Sequence, residues 1–181
     1  MNVCARFIVL YKEIGMAKKF RNTVAGASLC FILAGTLAGC AAAPSPHLTE
    51  AQKENRAYMS QINGFIENLS SCLDSFNSAV SRYDTVGMKA QISKISDEID
   101  KLSKKDAPEV LAPMKDKYLS ALGTLKTALN SYVDLYSAAQ QGTTLTFTSK
   151  AYADKLAAIQ KQYDEGLAAL KEADAIALDL K

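Results

Sequence analysis

The chain has 181 residues, 8% aromatics and no Trp, with Ala, Ser, Leu and Lys prominent. That composition favours helices over sheets and allows one ordinary domain plus a targeting segment. The formal charge of +2 hides an asymmetry: residues 1–39 hold five Lys/Arg and one acid, which leaves 16 basic and 18 acidic side chains in residues 40–181. A mildly acidic body without a basic stripe speaks against nucleic-acid binding. Of four cysteines only Cys72 lies well inside the body, and there is no CxxC pair, so a disulfide framework is not expected.

From Met16 the chain reads MAKKFRNTVAGASLCFILAGTLAGC. A basic stretch (Lys18, Lys19, Arg21) precedes an apolar run, Val24 to Leu37, and a small-residue end, which is the layout of a secretory signal. Residues 1–15 fit neither part of the 1–39 leader, which makes Met16 the preferred start of translation and leaves Met1 as the alternative. The terminal Leu37-Ala38-Gly39-Cys40 resembles the lipobox of bacterial lipoprotein precursors. The resemblance covers about 25 residues and leaves the body unassigned. It implies that Cys40 receives a diacylglyceryl group, that the Gly39–Cys40 bond is cut, and that the new amine is often acylated, with chains such as palmitate. Membrane lipid would then be a partner through Cys40. Ala41, rather than Asp, follows Cys40; by the same resemblance this favours the outer membrane if the cell is Gram-negative, a point the sequence leaves open. Two other readings compete. Val24–Ala43, about 20 residues, is long enough for an uncleaved span, and the run is also apolar enough for a core segment. The Gly/Ala content and the small-residue end favour the lipobox.

Residues 40–48 read as a lipidated tether, because "AAAPSPH" carries two prolines and no periodicity. His47, the sole histidine, lies there as a bystander. The first helix is expected over about 49–83, with Thr49 and Gln52 as a capping box. Its start, Thr49 to Ala57, has no apolar face and is expected to stand outside the bundle as a stalk. Apolar residues then fall at 59, 62, 66, 69, 73, 76, 80 and Tyr83, a heptad seam widened by Tyr58, Phe65, Cys72 and Ala79. Cys72 is expected on the buried face as a small filler.

"DTVG" (Asp84 to Gly87) breaks this helix. The second, about 86–105, presents Met88, Ile92, Ile95, Ile99 and Leu102, with Asp97–Lys101 and Asp100–Lys104 as outer pairs. Asp106 is a candidate cap and Pro108 a first-turn residue for the third helix, about 108–140, in which Pro113 either kinks the first turns or marks the true start. That helix carries Leu111, Met114, Tyr118, Ala121, Leu125, Ala128, Tyr132, Leu135 and Ala139, widened by Leu122, Leu129 and Tyr136. After "QQGTTLTFTS" the fourth helix, about 149–180, carries Tyr152, Leu156, Ile159, Tyr163, Gly166, Leu170, Ala173, Ala177 and Leu180.

Four amphipathic helices with short connections over residues 49–181 give an all-α, up-down-up-down four-helix bundle with one short helix, the second, and a polar N-terminal stalk. Helices three and four are then expected to project as a hairpin whose Tyr132, Tyr136, Phe147 and Tyr152 form either the end of the core or a partner surface. Metal, cofactor and catalytic signatures are missing: no His lies in any predicted helix, and G-x-S-x-G, H-E-x-x-H and P-loop motifs do not occur. The expected function is a lipid-anchored, non-enzymatic interaction or structural module of the cell envelope. It would meet a protein, an envelope polymer or a second copy as a homo-oligomer. One alternative is a carrier of a small apolar ligand, hinted at by the small residues Ala121, Ala128 and Gly166. Another is an exclusion or immunity lipoprotein.

Overall fold

The computed structural model describes residues 49–142 and 145–179. The leader, Cys40 and the tether lie outside the described residues. Four helices follow in order: α1 Glu50–Ser81, α2 Thr85–Ser103, α3 Ala112–Gln141 and α4 Lys150–Asp179. A 3-10 turn, Glu109–Leu111, leads into α3. Each long helix packs against its neighbour in the chain. Cross-links fix the directions. Asn68 of α1 hydrogen-bonds Glu98 of α2, so these two run antiparallel. Phe76 meets Tyr132, so α1 and α3 run the same way. Tyr118 near the start of α3 meets Asp174 near the end of α4. The architecture is an up-down helical bundle.

Local chemistry sets the ends. Thr49 Oγ1 accepts from Gln52 N (3.2 Å) and Gln52 Oε1 accepts from Thr49 N (3.0 Å), closing the capping box. Asp84 Oδ1 accepts from Gly87 N (2.8 Å) and starts α2. A Cβ on Gly87 would lie 2.4 Å from Asp84 Oδ2, so the glycine lets this cap close. Pro113 lies in the first turn of α3, where its missing N–H costs nothing, and it produces no mid-helix kink. The end of α2 is closed from another helix: Lys115 Nζ of α3 donates to Ser103 O (2.9 Å) and to Lys105 O. On the outer face of α2, Lys101 pairs with Glu98 at 2.6 Å, not with Asp97 as the i, i+4 spacing suggested.

The core begins at Tyr58. Residues 49–57 are exposed or half-buried, while Tyr58, Ile62, Phe65, Leu69, Leu73, Phe76 and Val80 are buried. Those steps run 4-3-4-4-3-4, a mean of about 3.7 residues, longer than the 3.5 of a strict heptad seam. Met59 and Ile66, on the strict heptad line, are only half-buried for that reason. Every α3 residue of the expected stripe, from Met114 to Ala139, is buried, as is Leu111 just before the helix, and Val133 joins them.

Small residues on the α3–α4 face permit close approach. A Cβ on Gly166 would lie 2.7 Å from Leu125 Cγ and 3.2 Å from its backbone N. Leu125 therefore fills the space beside Ala121 and Ala128, where a carrier would need a cavity. Gly166→Ala is expected to destabilise the protein by about 1–3 kcal/mol, because overpacking outweighs the helix-propensity gain. Gly64 and Gly123 meet nothing within 4 Å at a built Cβ. Alanine there is expected to stabilise by about 0.5–1 kcal/mol. Urea midpoints of the three variants check the contrast.

Candidate functional site

The end of the bundle that carries the α1–α2 and α3–α4 connections is built from aromatic rings. Tyr132 lies edge-on to Phe76 at 6.1 Å and beside Tyr136 at 6.3 Å. Tyr136 in turn meets Tyr83 (6.3 Å, interplanar 16°) and Phe147 (5.3 Å). Phe147 lies edge-on to Tyr152 at 5.3 Å. Tyr132, Tyr136 and Tyr152 are buried, so of the four residues expected to form the core end or a partner surface only Phe147 is substantially exposed, at 45%. The hairpin does not display them, because Tyr83 at the end of α1 covers Tyr136. The surface they leave is made by Phe147 with Tyr83 (59% exposed) and Val86 (78% exposed).

Each of these side chains has a local cause. Ser149 closes the segment before α4: its N and Oγ bond Thr146 O (3.0 and 2.8 Å), and its Oγ accepts from Tyr152 N (3.2 Å). That turn sets Phe147 between Tyr136 and Tyr152. At the end of α1, Tyr83 N donates to Val80 O (3.1 Å) and Asp84 N to Ala79 O (2.9 Å), the paired bonds of a Schellman motif. Its left-handed residue is Tyr83, with φ 59°. Glycine normally takes this position, as Gly142 (φ 65°) does after α3. The heptad seam placed Tyr83 on the buried face. Helix α1 ends at Ser81, and the change of backbone direction carries the ring onto the surface. An Asn or Gly at 83 would have signalled this end; a Tyr concealed it.

The opposite end holds polar groups. Between α1 and α2 lies an open groove of about 270 Å³, with Tyr58, Ile62, Phe65 and Leu102 among its lining and Lys101 and Lys105 at its rim. Tyr58 Oη is buried without a hydrogen-bond partner; burial pushes its pKa up, and Asp116 adds to that. Cys72 is half-buried near Lys94 and Glu98, and burial raises its thiol pKa, with Lys94 opposing. A raised thiol pKa suits an unreactive packing residue.

Asp174 accepts from the Tyr118 hydroxyl, and burial pushes its carboxyl up to about 7 from 3.8. The folded value exceeds the unfolded one, so this group costs stability above pH 3.8, and the cost is complete only above pH 7. Asp174→Asn is expected to stabilise the protein at pH 8 by about 1–2 kcal/mol, discounted for solvent access to the carboxyl. Near pH 4 the gain should nearly vanish. Melting temperatures of the two proteins at both values test this.

Among the described residues no group of three or more His, Cys, Asp or Glu is placed to hold a metal ion. Among the same residues no helix is long and apolar enough to cross a membrane. No protein-family model matches the chain, and neither does a curated protein or a solved structure.

Proposed function

We propose that the chain is a lipid-anchored lipoprotein of the cell envelope, held through Cys40, whose helical bundle serves as a non-enzymatic interaction module. One observation carries this reading: the order of parts along the chain. A basic and apolar leader ends in Leu-Ala-Gly-Cys, a proline tether follows, the first turns of α1 are exposed, and the buried core starts only at Tyr58. Lipid attachment, spacer and folded head thus follow one another without overlap. An up-down bundle anchored at the N-terminal side holds its α1–α2 and α3–α4 connections away from the attachment point, so contact with a partner falls to that end. The carrier reading has less support, since Leu125 occupies the site where small residues hinted at a cavity.

Mass spectrometry of the N-terminal peptide from the membrane-extracted protein tests the reading. Cys40 should be the first residue, carrying a diacylglyceryl group. An unmodified chain that still contains residues 24–39 would make the apolar run an uncleaved span and end the proposal.

A further inference from the structure

We propose that the end of α4 is a pH-operated latch, whose last turns dock on α3 through Asp174 and Tyr118 and let go as the medium passes from acid to alkaline. The contact bridges the two helices at the end of the bundle where α1 begins. Tyr118 lies early in α3 and is buried, and its hydroxyl donates to Asp174 Oδ1. Little else holds α4 there. Among the side chains described after Leu167, only Ala173 is buried, while Leu170 and Ile176 are half-buried against the core. A helix end with so few buried apolar contacts opens at far lower cost than the core.

Charge gives this weak point a direction. From α3, Tyr118 meets the carboxyl with a neutral hydroxyl, and the adjacent cation, Lys117, is held by Glu172 at 2.6 Å. On α4 itself the neighbouring charges are Lys171 and that same Glu172. From α1, Tyr58 reaches this end of the bundle, but the carboxylate it senses is Asp116. Burial is the one cause that shifts Asp174, so no charge on these helices steadies its anion. The last turn of α4 also lacks a basic residue, which leaves the negative end of the helix dipole uncompensated.

The sign follows from linkage. Docked, the carboxyl keeps its proton up to about pH 7; released into water, it returns to its ordinary 3.8. Between those values the docked end holds a proton that the released end has lost, so rising pH favours release. Above about 7 both forms are ionised and the balance changes no further. The response stays local, because no charged side chain is buried in the core among the described residues.

The latch rests on the fold alone and does not depend on acylation of Cys40. The full chain, in detergent micelles, is followed by amide hydrogen exchange at about pH 5 and about pH 8, each corrected for intrinsic exchange. Opening of residues 170–179 should rise by about tenfold between the two, a figure reduced from full linkage because the carboxyl is partly in water. Asp174→Asn should hold these residues equally well at both values. In the wild type the Asp174 carboxyl carbon should titrate near 7 in a nuclear magnetic resonance experiment. A carboxyl that titrates near 4 overturns the proposal, and so does an equal pH response in wild type and Asp174→Asn. Loss of protection along all of α3 and α4 together also overturns it, since the change would then be global unfolding and not release of one end.

Discussion

Phe76→Ala is expected to cost about 3–5 kcal/mol, at the top of the range for truncating a single core side chain. The ring is 1% exposed and lies edge-on to Tyr132, itself 2% exposed. Truncation removes the burial of a whole aromatic side chain and leaves a cavity whose walls are held by α3. It also forfeits the ring–ring attraction of about 0.5–1.5 kcal/mol. Against a total stability of about 5–15 kcal/mol, that is a large fraction. Tyr136→Ala should cost more than about 2 kcal/mol, since its ring braces Tyr132, Tyr83 and Phe147 together. Phe147→Ala should cost about 1 kcal/mol or less, because nearly half of the side chain is already in water. Urea denaturation followed by far-UV circular dichroism separates the three by their midpoints at an unchanged m-value. Equal losses at positions 76 and 147 would refute the division of this end into a buried floor and an exposed rim.

That division marks where the sequence could be read and where it could not. Periodicity finds a buried stripe well when a helix is uniform and central. In α3 every expected stripe position is buried, and the added Val133 sits at the edge of a stripe wide enough to reach it. In α1 the apolar residues fit two lines, and spacing alone cannot choose between a supercoiled 3.5 and a straight 3.6 period. As packed, α1 buries Tyr58 and Phe65 and leaves Met59 and Ile66 half-covered. Capping was legible because its partners are three residues apart, as with Thr49 and Gln52. Contacts between distant segments were not. Lys115 closing the end of α2, the carboxyl of Asp174 under the Tyr118 hydroxyl, and Leu125 filling the space over Gly166 all depend on how helices pack. The candidate surface was half legible for the same reason. An aromatic-rich end could be seen, but which rings face out depends on the turn after Ser81, and Tyr83 gives no local sign that it adopts a left-handed backbone.

The second large effect concerns Cys40. Cys40→Ser is expected to abolish fatty-acid labelling and to leave the precursor uncut, larger than the mature protein by the leader that ends at Gly39. The proposed lipid transfer to this position would need a thiol, because a serine hydroxyl at neutral pH is a much poorer nucleophile than a cysteine sulfur. Cys72→Ser serves as the control. Its thiol is half-buried in the folded body with its pKa raised by burial, so labelling and mass should both match the wild type. Gel mobility of the two variants and incorporation of labelled palmitate decide the matter: a Cys40→Ser protein that is still cut after Gly39 would remove the lipobox reading. A chain begun at Ala41 lacks the proposed acylation site, so it is expected to incorporate no labelled palmitate. The energetics set how complete the difference is. Each buried CH₂ contributes about 0.8 kcal/mol, so one chain holds a protein marginally and reversibly. The proposed diacylglyceryl group would alone bring two chains. Wild-type protein should therefore stay with the membrane through repeated washing in high salt, which screens electrostatic attachment and leaves acyl burial intact.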